Sequence, residues 1–124
     1  MSIPQSGGGP IESFEDLAGY LESGCKPKED WRIGTEHEKV GYCSEAYAPL
    51  PYDGVCSIKA MLEGLRDGFG WLPIAEAGHL IGLEKDGANI SLEPGGQLEL
   101  SGAPLTTIHE TCDEVNTHLA EVKT

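Results

Sequence analysis

The sequence has few basic side chains and no hydrophobic run long enough to cross a membrane. Its 124 residues include 8 Lys and Arg against 21 Asp and Glu, which gives a formal net charge of −13. This charge argues against nucleic acid and anionic membranes as partners, because both would repel an acidic surface. The first residues, MSIPQSGGGP, lack the basic and apolar regions of a signal peptide. Together these absences predict a cytoplasmic protein that binds cations, cationic groups or metal-bound substrates.

Several common catalytic and metal-binding motifs are also missing. The chain has no GxSxG, HExxH, Walker A or GxGxxG pattern, and its four cysteines form no CxxC pair. The cysteines are therefore predicted to be reduced and mostly buried thiols. A length of 124 residues allows one small domain with a core, but not two domains.

Hydrophobic periodicity predicts three helices. The first runs from Ser13 to Ser23, with Ser13 as its N-cap and one apolar stripe: Phe14, Leu17, Ala18 and Leu21. The second, started by Asp53, runs from Val55 to Asp67 and turns five apolar side chains inward: Val55, Ile58, Met61, Leu62 and Leu65. The third opens near Pro104 or Thr106 and carries a long stripe: Leu105, Ile108, Cys112, Val115, Leu119 and Val122.

The remaining patterned segments are predicted strands. One spans Trp31 to Tyr42, and three short ones follow the second helix, with the sequences HLIGLEK, NISLE and QLELS. Turns at Asp86-Gly87 and at Pro94-Gly95-Gly96 separate the three, which predicts an antiparallel meander. The fold class is therefore α+β, an antiparallel sheet with flanking helices.

Glutamates on the polar faces of these strands are the candidate functional residues. Side chains alternate along a strand, so Glu36 and Glu38 share a face, with their roots about 7 Å apart. In the last strand Gln97, Glu99 and Ser101 share a face in the same way. Two interpretations stay open on spacing alone: solvated strand residues, or carboxylates that bind Mg²⁺ beside substrate phosphates.

Two long segments resemble a known family. WRIGTEHEKVGY and ISLEPGGQLELSGAPLTTIHETCDEVNTHLAEVK are similar to the N-terminal region of glutamate-cysteine ligase of the plant and proteobacterial type. The resemblance extends from about Phe14 to the last residue. It implies a domain organisation in which residues 1–12 are a flexible lead and residues 13–124 are the N-terminal part of a catalytic domain.

The resemblance also implies an activity and a set of site residues. Members of the family join L-glutamate to L-cysteine, using ATP and Mg²⁺, through γ-glutamyl phosphate, and their antiparallel sheet curls into a funnel-like half-barrel similar to that of glutamine synthetase. Glu36 and Glu38 match the family's catalytic, magnesium-binding pair, and Glu99 matches a later metal-binding carboxylate. Glu93 is a weaker metal candidate, and Gln97 and Arg32 are candidate substrate-binding residues.

The chain is much shorter than members of this family. We therefore expect it to be a fragment that is inactive by itself and that needs the remainder of its own catalytic domain as a partner. Cytoplasm is the expected location, although plant members of the family work in plastids. One alternative from another class stays open, a stand-alone module that binds metal or glutamate and regulates without catalysis.

Overall fold

The computed structural model describes residues 8–123, and these form one five-stranded antiparallel sheet, a separate two-stranded ribbon and three α-helices. In chain order the elements are α1 Phe14–Ser23, β1 Glu36–Lys39, β2 Tyr42–Cys43, β3 Ala48–Pro49, α2 Ile58–Phe69, β4 Leu72–Glu76, β5 His79–Lys85, β6 Ala88–Leu92, β7 Leu98–Ser101 and α3 Ile108–Glu121. The α+β class is thus confirmed. The funnel-like curvature stays a prediction, and residues 1–7 of the expected flexible lead lie outside the described residues.

The sheet has the strand order β1-β7-β6-β5-β4. Strands β5 to β7 follow one another as the predicted meander, and β4, which was not predicted, adds a strand before them. In the tight turn between β5 and β6, Asp86 and Gly87 both have positive φ, 50° and 87°. Strand β1 then pairs with β7, although about sixty residues separate them in the sequence. This non-local pairing makes β1 an edge strand among the described residues.

One face of the sheet packs against α2 and forms the core. The side chains that are almost fully buried there come from both layers: Leu62 on α2 and Leu83, Ile90, Leu98 and Leu100 on the sheet. These strand residues alternate with polar ones, so burial of one face leaves the other face polar. The sheet therefore has an apolar side and a hydrophilic side.

Helices α1 and α2 form largely as predicted, with differences at their surfaces and ends. Ser13 caps α1 in a capping box with Asp16, but Phe14 and Leu21 remain 77% and 68% exposed, so its apolar stripe covers no core. Helix α2 begins at Ile58 because Ser57, and not Asp53, accepts a hydrogen bond from the backbone of Ala60. Val55 lies before the helix and is fully exposed, so its predicted inward position was wrong.

The strand predicted from Trp31 to Tyr42 is reduced to four residues, Glu36–Lys39. A short 3₁₀ turn, Lys28–Asp30, precedes it, and Ile33 makes only an isolated bridge with Leu105. The ladder is interrupted between this bridge and β1, because two residues, 34 and 35, lie opposite three residues, 102 to 104.

Helix α3 is confirmed, but its predicted apolar stripe is confirmed only in its second half, where Val122 packs against the core and Val115 and Leu119 are partly buried. Thr107 and Glu110 form a capping box at its start, and Ile108 and Cys112 point into solvent. The residues that face the sheet are instead mostly polar and follow helical spacing: Thr111, Glu114, His118 and Glu121. The sheet surface under α3 includes His37, whose ring contacts that of His118.

The cysteines are free, as predicted, but they are not mostly buried. Cys25, Cys56 and Cys112 are exposed, and Cys43 is partly buried. Each lies in or beside a surface segment, so the tendency of cysteine toward burial is overridden by its position in the fold.

Replacement of Leu62 by alanine should lower the free energy of unfolding by about 2–5 kcal/mol, because the side chain is fully buried and its removal leaves a cavity. Val55→Ala is the matched control and should change stability by less than about 0.5 kcal/mol. Urea unfolding followed by circular dichroism measures both. Equal effects of the two substitutions would contradict the described core.

Candidate functional site

The pairing of β1 with β7 brings the predicted glutamates together. Glu38 lies directly opposite Glu99, and Glu36 lies opposite Ser101. Directly opposed residues of an antiparallel pair have their Cβ atoms about 5 Å apart on the same face. Two segments far apart in sequence thus place Glu36, Glu38 and Glu99 on one side of the sheet.

Neighbouring strands extend this polar surface. Ser91 of β6 lies opposite Glu99, and Asn89 lies opposite Ser101. Beyond the ends of β6 and β7, the Glu93 amide donates a hydrogen bond to the Gln97 carbonyl at 2.9 Å. We call this surface the carboxylate face, and it consists of Glu36, Glu38, Asn89, Ser91, Glu93, Gln97, Glu99 and Ser101.

Glu99 lies at the centre of the carboxylate face and is the most buried of its glutamates, with 2% of its surface exposed. Its Oε1 accepts a hydrogen bond from the Ser101 hydroxyl at 2.8 Å. Hydrogen bonding with Glu93 and then with Ser101 lowers the pKa of Glu99, in spite of the opposing effect of burial. The buried carboxyl is therefore held as a carboxylate, whereas Glu36 and Glu38 are exposed.

Three other polar atoms of the carboxylate face are buried and have no hydrogen-bond partner within the described part of the chain. They are Asn89 Oδ1, Ser91 Oγ and Gln97 Oε1. Buried oxygens of this kind are normally satisfied by protein groups, water or a ligand. Their position beside Glu99 makes this surface a candidate for binding a hydrogen-bond donor or a cation.

The donor atoms of the carboxylate face suit Mg²⁺, which prefers carboxylate and amide oxygens. Among residues 8–123 no three His, Cys, Asp or Glu side chains converge as a preformed metal cage. Mg²⁺ is usually held by one or two carboxylates together with substrate phosphates and water, so the opposed pair Glu38 and Glu99 is sufficient in number. The residues fit the ion in chemistry and in placement on one face.

The candidates Gln97 and Arg32 lie in different places. Gln97 belongs to the carboxylate face, next to Glu99 in the same strand segment. The Arg32 guanidinium donates to the backbone carbonyls of Glu29 and Trp31, at 3.1 and 2.8 Å, and the residue lines another cleft beside Pro104. The structure therefore brings Gln97, but not Arg32, to the four glutamates.

Beneath the carboxylate face lies a basic cluster that sequence reasoning missed. His37 and Lys39 alternate with the two glutamates along β1, and the rings of His37 and His118 meet edge to face with centroids 6.5 Å apart. Burial lowers the pKa of Lys39. Burial first, and then the charges of Lys39 and His37, lower the pKa of His118 to about 4. Only the tertiary contact between α3 and β1 reveals this cluster, since the histidines are 81 positions apart in the sequence.

Comparison with known proteins points to one family. The family described as "Glutamate-cysteine ligase family 2" matches residues 32–124, three quarters of the chain. The chain is 57% identical over 109 residues to glutamate–cysteine ligase A, chloroplastic, of Oryza sativa subsp. japonica, which covers 88% of the chain and 22% of that protein. The chloroplastic ligases of Solanum lycopersicum and Arabidopsis thaliana are 54% and 52% identical over the same length, again 88% of the chain and 20% of each relative.

The chain spans about a fifth of the length of the curated relatives it matches. The matched family region contains every residue of the carboxylate face, and also His37, Lys39 and His118. Within residues 8–123, no helix combines the length and hydropathy that a membrane crossing requires.

Acidification should destabilise the fold through His118. Because its pKa falls from 6.5 to about 4 on folding, the unfolded chain binds the proton more readily, and the folded state loses stability as pH drops through this window. The loss from this group is about 1.4 kcal/mol per pH unit. His118→Gln should remove that slope, whereas His109→Gln, an exposed control on the same helix, should keep it. Urea unfolding at intervals between pH 7 and pH 4 measures the slopes, and identical slopes in both variants would refute the assignment.

Proposed function

This chain belongs to the glutamate-cysteine ligase family 2, and on that premise we propose that the intact protein ligates the γ-carboxyl of L-glutamate to L-cysteine, driven by ATP. The product, γ-glutamylcysteine, is the first intermediate of glutathione synthesis. The observation that carries the proposal is the family match over residues 32–124, since this region includes the paired glutamates of β1 and β7.

The reaction we propose has two chemical steps. The γ-carboxylate of glutamate first attacks the terminal phosphorus of ATP, forming γ-glutamyl phosphate and releasing ADP. The cysteine amine then attacks the activated carbonyl, the C–O bond to phosphate breaks, and the amine proton is lost to solvent or a base. Both steps crowd anionic oxygens together, so their mutual repulsion must be offset by cations.

Magnesium would supply that positive charge, held by Glu38 and Glu99 with Glu36 and Glu93 beside them. Glu99 is suited to anchor the ion because it is buried, ionised and oriented by the Ser101 hydroxyl. Glu36 and Glu38 are exposed, so their carboxylates can adjust to the position of the nucleotide phosphates. Glu36 and Glu38 are accordingly our proposed catalytic residues.

Gln97, Ser91 and Asn89 are suited to bind substrate. Their buried, unpartnered oxygens face the same side of the sheet as the carboxylates and can accept hydrogen bonds from the glutamate ammonium group or from metal-bound water. We propose that Gln97 has this role and that Arg32, whose guanidinium is turned toward the backbone of its own segment, does not reach the same substrate in the arrangement described.

The remaining parts of the reaction are assigned to other regions of the intact ligase. The matched region is about a fifth of each relative, and it is rich in carboxylates and poor in the basic side chains that bind nucleotide phosphates. We propose that these groups and the cysteine pocket belong to the other four fifths, so that residues 1–124 alone do not turn over substrate. For location, the names of the relatives add the plastid to the cytoplasm expected from the sequence.

Glu38→Gln in the intact ligase should lower turnover by about a hundredfold and raise the Mg²⁺ concentration needed for half-maximal rate, because one charged ligand of the pair is lost. Glu22→Gln is the control: Glu22 is an exposed glutamate on α1, outside the sheet that carries the carboxylate face. A coupled assay of ADP release at varied Mg²⁺ distinguishes the two variants.

The contrary result would be a Glu38→Gln enzyme whose turnover and Mg²⁺ dependence match those of Glu22→Gln. Such a result would remove Glu38 from the metal site. If the wild-type protein released no ADP from ATP in the presence of glutamate and cysteine at any Mg²⁺ concentration tested, the ligase proposal itself would be wrong.

A further inference from the structure

Strand β1 has no hydrophobic residue that could set its register. Its sequence is Glu-His-Glu-Lys, so both faces of the strand are polar. Register is strongly specified where one face is apolar and weakly specified in strands that are polar on both sides. A slip by one residue against β7 would turn Glu36 and Glu38 away from Glu99 and place His37 and Lys39 on the carboxylate face. Contacts outside the four residues of β1 must therefore prevent that slip.

A β-bulge lies immediately before β1, and contacts at this bulge can fix the register of the strand. Ile33 pairs with Leu105, and Glu36 pairs with Ser101. Between these pairs, residues 34 and 35 on one side oppose residues 102, 103 and 104 on the other. The extra residue leaves backbone groups without ladder partners, and bulges of this kind determine how the following side chains are aimed.

The side chain of Glu114, on α3, bridges the two sides of this bulge. Its Oε1 accepts the Ala103 amide proton at 2.7 Å, and its Oε2 accepts the Thr35 hydroxyl proton at 3.1 Å. Between them, the Gly102 amide donates to the Thr35 carbonyl at 2.6 Å. A Cβ at position 102 would collide with both Glu114 and Thr35, so glycine is required for this close approach.

We propose that Glu114 is a positioning residue that fixes the register of β1 against β7 and thereby keeps Glu36 and Glu38 on the same face as Glu99. The carboxylate satisfies the amide left over by the bulge and ties it to the residue directly before Glu36. A one-residue slip of β1 would break the hydrogen bond from the Thr35 hydroxyl and leave one oxygen of this partly buried carboxylate without its donor, which is costly. The consequence for metal binding rests on the proposed function, but the register does not.

A merely structural role, in which Glu114 only attaches α3 to the sheet, makes a different prediction. Loss of that attachment would weaken the whole helix interface and leave β1 paired as before. Contacts elsewhere on α3 also hold the helix, including the Glu121 carboxylate, which accepts a hydrogen bond from the Trp71 indole at 2.9 Å. The register of β1 is therefore the readout that separates the two roles.

The experiment uses the 124-residue chain, labelled with ¹⁵N and ¹³C, and compares wild type with Glu114→Ala, Glu114→Gln, Thr35→Val and the control Asp113→Ala. Asp113 is an exposed neighbour of Glu114 on the same helix. Cross-strand NOEs between Glu38 and Glu99 and between Glu36 and Ser101 report the register. Amide hydrogen exchange over residues 36–39 reports how firmly it is held.

In Glu114→Ala we expect the two cross-strand NOEs to weaken or move by one residue, with exchange over residues 36–39 at least about tenfold faster than in wild type. Glu114→Gln keeps an acceptor for the Ala103 amide and should stay within about threefold of wild type. Thr35→Val should fall between them, and Asp113→Ala should match wild type. Native NOEs and native exchange in Glu114→Ala, or an effect spread evenly over α3, would overturn the proposal.

Two further measurements test the register role if Glu114→Ala does not fold, and test the metal site separately. If Glu114→Ala does not fold, Thr35→Val decides: faster exchange confined to β1 and β7 supports the register role, and unchanged exchange there refutes it. Mn²⁺ added as a paramagnetic probe should broaden the resonances of Glu38 and Glu99 in wild type. Absence of broadening would count against the proposed metal site alone, because the register is measured without metal.

Discussion

The pairing of β1 with β7 is the constraint on which the candidate site depends. It joins segments about sixty residues apart and places Glu38 directly opposite Glu99. Loop closure of this length carries an entropic cost, and β1 offers no apolar side chain to offset it. The pairing is held by its backbone ladder and by the bridge between Ile33 and Leu105, and Glu114 adds side-chain hydrogen bonds at the bulge between them. The function proposed for the carboxylate face thus depends on a helix that contributes no residue to that face.

Carboxylates and basic side chains lie on opposite faces of the sheet, separated by a single layer of backbone. Above it are the carboxylates, with Glu99 buried and ionised. Below it are His37, Lys39 and His118, also withdrawn from water. Because side chains alternate along β1, its four residues contribute Glu36 and Glu38 to one set and His37 and Lys39 to the other. Glu114 and Glu121 of the helix packed underneath make their hydrogen bonds to Thr35, Ala103 and Trp71, and not to these basic groups.

Much of the fold could be predicted from local signals. The Ser13 cap with Asp16, the apolar spacing of Ile58, Leu62 and Leu65, and the Asp86-Gly87 turn all act over a few residues, so sequence alone located α1, α2 and the β5–β6 hairpin. The errors came where a distant partner decides. The long strand ended at a bulge formed with residues 102–104, and Ile108 and Cys112 at the start of α3 face solvent, whereas Val122 near its end packs against the core.

The sequence by itself determined the family, through long unusual runs, and it identified the glutamates, since alternation along a strand is a local property. It also placed Glu36 and Glu38 on one face. Only the tertiary structure decided that this face is shared with Glu99, Ser91 and Gln97, and that Arg32 lies elsewhere. The reason is physical: register between strands and the burial of a charge arise from contacts between segments far apart in the chain, and no pattern within either segment contains them.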